Sequence, residues 1–458
     1  MDSQDNPAKQ EARVGRPQLS SMRSGSYLSD HQQYRSPTQP DSHAHYGIDS
    51  VIEDLQGARI SPPKSFSPFS GVPGTDDSPA GTASQRIIAT LMYKTKSSSA
   101  PNPPHRNSSS ASNIPANFAP TTNPEKFPLE PPQAVVEPEL LDNIYGSYVS
   151  PMCITSFLHL MSAFPLPHGV TETTSSHRCL DDPDHALVVE LTLSPAPSAD
   201  YLSLADLRKH ELIYRFEQEW NVDVVLQADA LWRRHPRLVV FDMDSTLITQ
   251  EVIDLLAATI TDPPDLAAKV ADITQRAMLG ELEFDAAFRE RVALLKDLPA
   301  TIFEQLRPAL DVTKGVPQLI KALKKLGIKT AVLSGGFLPL TSWLAKELGI
   351  DYAHANEVVI SDAGRLTGEV LGRIIGKERK RELLLEIAEK EGVSLEQVIA
   401  VGDGANDLLM LGTAGLGVAW NAKPLVQMEA SARLNRDSLL DLLYLLGFMR
   451  EEVEMLTI

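Results

Sequence analysis

Apolar positions along the chain follow two regimes, divided near Arg237. Before that point, short apolar runs alternate with amphipathic stretches. Ile87–Tyr93 reads as a strand. Met152–Phe164 sets Ile154, Phe157, Leu158, Leu160 and Met161 at helical spacing, and Thr/Ser-rich Gly169–Arg178 is extended. Ala186–Leu193 reads as a strand, Leu204–Trp220 as an amphipathic helix and Val222–Leu226 as another strand. Strand, helix, strand, strand, helix, strand is the split βαβ pattern of an α+β unit, here over residues 87–228.

After Arg237 the strands become continuous apolar runs separated by helical stretches: Leu238–Phe241, Lys329–Leu333, Val398–Val401 and Gly417–Trp420. Strands buried on both faces predict a parallel sheet with helices on each side, an α/β architecture over 237–458. Residues 249–312 contain no strand pattern. They read as helices inserted after the first strand and punctuated by Pro263-Pro264 and Gly280. Residues 352–375 alternate around Asp362-Ala363-Gly364 and predict a β-hairpin insertion. Leu439–Met449, broken by Asp441, reads as a short packed helix.

Composition adds the front of the chain. Of the 33 prolines in 458 residues, 18 precede residue 135, so the front does not read as one core. Residues 1–86, rich in Ser, Pro, Gln and Gly, are expected to be disordered, as is a second low-complexity stretch at 97–132. Ser36-Pro37, Ser61-Pro62 and Ser67-Pro68 are candidate phosphorylation sites, although such pairs are common in this composition. A net charge of −18 argues against nucleic acid or anionic lipid as partner. It leaves room for a small anionic substrate, since a metal or a few cations can reverse the field in one pocket. Two cysteines exclude a disulfide scaffold and a zinc-ligand pattern. The polar start is not a signal peptide, and no run of about 18 apolar residues predicts a membrane span. The expectation is a cytoplasmic protein.

Three strand ends carry candidate chemistry. In Val239-Val240-Phe241-Asp242-Met243-Asp244-Ser245-Thr246, two carboxylates at i and i+2 leave one face of a strand while Met243 points away. They stand at the carboxyl edge, where open α/β sheets bind ligands. A second strand ends in Ser334-Gly335-Gly336-Phe337, where glycines let backbone N–H groups approach an anion and Ser334 adds a donor. A third ends in Gly402-Asp403-Gly404-Ala405-Asn406-Asp407. Three or four gathered carboxylates need a cation, and hard oxygen donors beside a phosphate select Mg²⁺. Lys377-Glu378-Arg379-Lys380-Arg381 opens a helix and offers a cation to balance a phosphoryl group, unless it is simply a solvated face.

Asp-Met-Asp-Ser-Thr, Ser-Gly-Gly-Phe and Gly-Asp-Gly-Ala-Asn-Asp, in this order on strand ends, resemble the haloacid dehalogenase (HAD) superfamily and, within it, the phosphoserine phosphatase family. The similarity spans residues 237–445 and extends to Glu251-Val252-Ile253-Asp254 and Arg289–Lys296. It implies a Rossmann-like parallel sheet with a helical cap at 249–312. Residues 87–228 are similar to the ferredoxin-like, ACT-like amino-terminal domain of some family members, on pattern alone, which implies serine as a ligand there. The low-complexity insertion and the long tail depart from the family.

What the resemblance implies chemically is hydrolysis through an aspartyl-phosphate, the last step of serine biosynthesis. Asp242 would attack phosphorus, and Asp244 would serve as general acid and then base. Mg²⁺ would sit on the carboxylates of Asp242 and Asp403 and the backbone carbonyl of Asp244. Ser334 and Lys380 would hold phosphoryl oxygens; the family's lysine lies eight residues before the alanine matched by Ala388. Asp407 would orient Lys380 or the waters of the metal. Glu251 would meet the substrate ammonium and Arg291 its carboxylate. Met278 and Phe284 would line an apolar wall, and Asn406 and Gly335 would touch substrate near the phosphate. The helical insertion would close as a lid. Two rival readings are a superfamily phosphatase for another small phosphate, such as phosphothreonine, and a non-catalytic amino-acid sensor.

Overall fold

A computed structural model describes residues 86–94, 141–259, 266–278 and 282–458. The low-complexity insertion at 97–132, the Ser-Pro pairs and all of 1–86 except Arg86 lie outside the described residues.

Strands β1 (Ile87–Tyr93), β2 (Thr174–Cys179), β3 (Val188–Ser194) and β4 (Val222–Ala228) form an antiparallel sheet in the order β2-β3-β1-β4. Helix α1 (Pro151–Met161) precedes β2, and α2 (Leu204–Arg208) and α3 (Glu211–Glu219) lie between β3 and β4. The single helix expected over 204–220 is two. His210 Nδ1 accepts from the Leu212 N–H at 3.2 Å, and this cap starts a new helix where the first ends. Strand side chains alternate between faces. Ala89, Leu91, Leu191 and Leu226 therefore pack on Phe157 and Phe216 of the helices, while Met92, Val188 and Val225 join the core of the larger unit.

That larger unit has a seven-stranded sheet, ordered β11-β10-β9-β5-β6-β7-β8. Its strands are β5 (Leu238–Phe241), β6 (Lys329–Phe337), β7 (Tyr352–Ile360), β8 (Leu366–Leu371), β9 (Val398–Gly402), β10 (Leu416–Trp420) and β11 (Ala432–Leu434). All pairings are parallel except β7 with β8. Between β5 and β6 run α4 (Val252–Thr259), α5 (Leu266–Met278), α6 (Phe284–Ala293) and, just before β6, α7 (Val316–Lys325). Helix α8 (Leu338–Leu348) follows β6, α9 (Lys377–Glu391) precedes β9, α10 (Leu408–Thr413) follows it and α11 (Arg450–Thr457) ends the chain. Val239 and Phe241 enter one core and Leu238 and Val240 the other, so β5 is buried on both faces.

Three sequence expectations change. The hairpin at 352–375 is not only an insertion, because β7 also pairs with β6 and belongs to the main sheet. Strand β11, three residues long, was not expected; so short a run has no readable period. Within Leu439–Met449 the α-helix is only Leu442–Leu445, after a turn at Leu439–Asp441.

The two sheets meet along a polar seam. Arg433 donates to Glu217 at 2.7 Å, and Asp223 accepts from the backbone and side chain of Asn435 at 2.7 and 2.8 Å. Asp223 thereby occupies the outer edge beyond β11, a place where unpaired backbone groups would otherwise stand exposed. Glu190, 5% exposed, takes Arg178 at 2.8 Å and also Arg233, while Arg178 donates to the Gly447 carbonyl at 3.0 Å. Among the described residues, no helix is long and apolar enough to cross a membrane.

Candidate active site

Strands β9, β5 and β6 are neighbours at the centre of the sheet, so the three motifs at their carboxyl ends converge. The Asp242 N–H still follows the sheet, donating to the Val401 carbonyl at 2.9 Å. The chain then turns tightly over Met243–Leu247, with Ser245 at φ +53°, a left-handed conformation unusual for a side-chain-bearing residue. This turn sends Met243 into the core, where its sulfur accepts from Thr341 Oγ1 at 3.2 Å. It leaves both aspartates at the site.

Lys380 binds the cluster together. It is 0% exposed, and its Nζ lies 2.7 Å from Asp242 Oδ1 and 2.7 Å from Asp407 Oδ1. The other Asp407 oxygen accepts from the Gly404 N–H at 3.0 Å. Helix α9 delivers this lysine from its first turn, and the buried face with Leu383, Leu384 and Ile387 fixes its rotation. Asp242, Asp403 and Asp407 each bring one carboxylate oxygen to within 4.8 Å of the others. Thr246 Oγ1 donates to Asp403 at 3.3 Å.

One ammonium faces four carboxylates here. Burial and then the Asp407 charge hold the Asp242 pKa well above its ordinary value, despite Lys380. Burial and the Glu251 charge push Asp244 up to about 8, and burial with Asp407 pushes Asp403 up to about 7. Burial alone would lower the Lys380 pKa, but Asp242 and Asp407 together raise it. Asp244 Oδ1 is buried with no hydrogen-bond partner. An excess of negative charge, hard oxygen donors and an unpartnered buried oxygen suit a divalent cation.

Ser334-Gly335-Gly336 bulges from the sheet edge, since β6 advances four residues from Leu333 to Phe337 while β7 advances two, from His354 to Asn356. Buried Ser334 accepts from the Gly336 N–H at 2.9 Å. A Cβ at Gly336 would sit 3.0 Å from Ser334 Oγ and 3.3 Å from Asp244 Oδ2, so glycine lets this backbone approach the carboxylate without crowding it. Glu251 is exposed and accepts from Ser245 Oγ at 2.9 Å. Arg291, on α6, has its Cζ 6.0 Å from the Phe288 ring centroid. Burial lowers its pKa, while Asp254, Glu251 and Asp244 act in the opposite sense, which puts it on the acidic side of the site. Asn406 and Phe284 flank Gly335: a Cβ there would lie 4.0 Å from Asn406 Nδ2 and 3.2 Å from Phe284 Cζ. Met278 ends α5, but its side chain lies outside the described residues.

Two residues outside the sequence expectation join the site. Thr246 was legible inside the first motif as a hydroxyl two residues past Asp244. Asn356, 1% exposed on β7, donates to the Gly335 carbonyl at 2.9 Å and accepts from the Ile375 N–H at 2.7 Å; no local pattern announces it.

Residues 236–415 match the family model described as haloacid dehalogenase-like hydrolase. The chain is 44% identical over 246 residues to a phosphoserine phosphatase of Saccharomyces cerevisiae, covering 54% of this chain and 78% of that one. It is 48% identical over 234 residues to a phosphoserine phosphatase of Streptomyces coelicolor, covering 51% of this chain and 56% of that one. Among solved structures, a probable phosphoserine phosphatase from Vibrio cholerae superposes with a TM-score of 0.50 at 30% identity, over 66% of this chain and 84% of that one. With those motifs converged on one sheet edge, the chain belongs to the haloacid dehalogenase-like hydrolases, in the family of its phosphoserine phosphatase relatives.

Proposed function

We propose that the chain hydrolyses O-phospho-L-serine to L-serine and inorganic phosphate through an aspartyl-phosphate on Asp242, the last step of serine biosynthesis. One observation carries the reading: Asp242, Asp403, Asp407 and Lys380 meet at the sheet edge, beside an Asp244 whose carboxyl is held near 8.

A carboxylate oxygen of Asp242 attacks phosphorus, and the bond from phosphorus to the serine oxygen breaks. Asp244 begins protonated, as its raised pKa favours, and gives its proton to the leaving oxygen. It then takes a proton from water as that water attacks the phosphoryl group, which leaves as phosphate and frees Asp242. Lys380 and Ser334 hold phosphoryl oxygens; Ser334 accepts from Gly336, which leaves its own proton free to donate. Asp407 keeps Lys380 in place. The carboxylates of Asp242 and Asp403 and the backbone carbonyl of Asp244 would hold Mg²⁺, whose charge, when bound, lowers the Asp242 pKa and offsets that of the phosphoryl group.

Substrate choice rests on Glu251 for the ammonium and Arg291 for the carboxylate, with Asn406, Gly335 and Phe284 beside the phosphate and Met278 on the apolar wall. Helices α4–α6 close as a lid that keeps bulk water out while the phospho-enzyme forms. Residues 237–458 form the phosphatase domain, with the helical cap at 249–312. Residues 87–228 form an ACT-like domain, its strand order supporting that assignment, with serine as a candidate ligand. The free thiols of Cys153 and Cys179 suit a reducing compartment such as the cytoplasm.

Phosphate release from phosphoserine, followed with malachite green, tests the reading. Release that needs Mg²⁺ and stops with EDTA supports it. A purified, folded protein that releases phosphate from other small phosphomonoesters but not from phosphoserine would overturn the substrate.

A further inference from the structure

We propose that Asn356 is a positioning residue that couples the Ser334–Gly336 loop to the start of the helix carrying Lys380, so that both phosphate-holding groups stand in register. The inference deepens the proposed function and rests on its reading of Ser334 and Lys380.

The bulge of β6 creates the need. Pairing between β6 and β7 jumps from Leu333↔His354 to Phe337↔Asn356, which takes Ser334, Gly335 and Gly336 out of the ladder. A backbone freed from its ladder is mobile unless another group replaces the lost hydrogen bonds. Asn356 stands at the point where pairing resumes, and its amide supplies a replacement: Nδ2 donates to the Gly335 carbonyl at 2.9 Å. Its Oδ1 meanwhile accepts from the Ile375 N–H at 2.7 Å. Ile375 lies one residue before Gly376, whose carbonyl accepts the Lys380 N–H at 2.9 Å in the first turn of α9. One buried side chain thus spans the two segments that present Ser334 and Lys380.

The same two segments also seat the cap. A Cβ at Gly335 would lie 3.2 Å from Phe284 Cζ, and one at Gly376 would lie 3.2 Å from Phe284 Cδ1. Phe284, the first residue of α6, rests on both glycines at once. Their relative position therefore sets the floor on which the cap helix sits. Asn356 is 1% exposed and beneath this floor, so it acts through its neighbours rather than on substrate. The side-chain amide carries a donor and an acceptor on one planar group and so serves both partners.

Two variants separate positioning from mere support. Asn356→Leu removes both hydrogen bonds at similar volume. Asn356→Asp keeps the acceptor for Ile375 and loses the donor for Gly335 once its carboxyl is ionised, so it is assayed across the pH range over which that carboxyl titrates. Turnover of phosphoserine and of p-nitrophenyl phosphate would be measured with Mg²⁺, together with the rise in melting temperature that inorganic phosphate gives each protein. Loss of kcat/KM on the order of 10–100-fold is expected for Asn356→Leu, equal on the two substrates because the phosphate grip is what slackens. Asn356→Asp is expected to fall between Leu and wild type, and the phosphate-induced shift should shrink in the same order. If Asn356→Leu does not fold, the Asp variant alone decides. Variants that melt earlier but keep wild-type kcat/KM and the full phosphate shift would overturn the proposal, as would a loss confined to phosphoserine. A wild type inactive on phosphoserine but active on the aryl phosphate would refute the substrate reading alone, and Asn356 would still be judged on the aryl phosphate.

Discussion

Replacing Lys380 by methionine probes the electrostatics of the site without touching the proposed nucleophile. Met matches the length of the stem and leaves no donor. In the cation-free protein, Lys380 is the ammonium between Asp242 and Asp407, at 2.7 Å from each. At an effective dielectric of about 20, each such contact is worth roughly 6 kcal/mol before desolvation is charged against it. Removing one partner from a buried ionic group costs about 3–5 kcal/mol net. That corresponds to a fall in melting temperature on the order of 10 °C for a unit of this size. The pH dependence has a definite sign. Burial and the Asp407 charge already hold the Asp242 carboxyl well above its ordinary pKa, and loss of the lysine removes the charge that opposes them. The deficit is therefore largest above the folded Asp242 pKa and closes as pH falls from there to the unfolded carboxylate value, about 4. Thermal melts of both proteins in EDTA, from pH 7 down to pH 4, measure it. A variant that melts with the wild type at pH 7, or whose deficit grows as pH falls, would refute the reasoning.

Asp244→Asn should slow turnover by roughly 10²–10⁴, the usual worth of a general acid–base, with serine release slowed as much as phosphate release in stopped-flow assays. Arg291→Ala should weaken phosphoserine far more than p-nitrophenyl phosphate, which has no carboxylate to grip; equal losses in kcat/KM on both would show that Arg291 does not read that group. Burial works to raise the Glu190 pKa, but Arg233 and Arg178 outweigh it and hold the carboxyl below its ordinary value. Its stabilisation is thus present above the unfolded pKa and is lost as pH falls through the folded one. Glu190→Gln should cost roughly 1–3 kcal/mol in urea unfolding at pH 7, and the difference from wild type should vanish below the carboxylate range.

The parallel sheet was legible because β5, β6 and β9 are buried on both faces, and such strands read as unbroken apolar runs. The candidate site was legible for a related reason. Asp242, Ser334 and Asp403 each stand at the end of one of those runs, so locating the strands located the residues. Their convergence came from strand order, which the sequence expresses only through the resemblance of its motifs. Lys380 showed within a charge run whose ordinary fate is exposure, and its companions Arg379 and Arg381 are indeed not buried. What failed to show depends on contacts distant in sequence. Asn356 gains its meaning from a bulge 21 residues away, and β11 exists because its neighbour β10 lies beside it. The break at His210 depends on a side-chain cap that competes with helix continuation inside an unbroken amphipathic pattern.

The central claim is that Asp242 carries the phosphoryl group between two chemical steps. The direct test is to mix the wild-type protein with phosphoserine labelled in its phosphate, quench in acid within one turnover and map the label by peptide analysis. The account predicts a base-labile label on the peptide containing Asp242, with none in Asp242→Asn. Rapid phosphate release with no labelled peptide, or a label on any other residue, would contradict it.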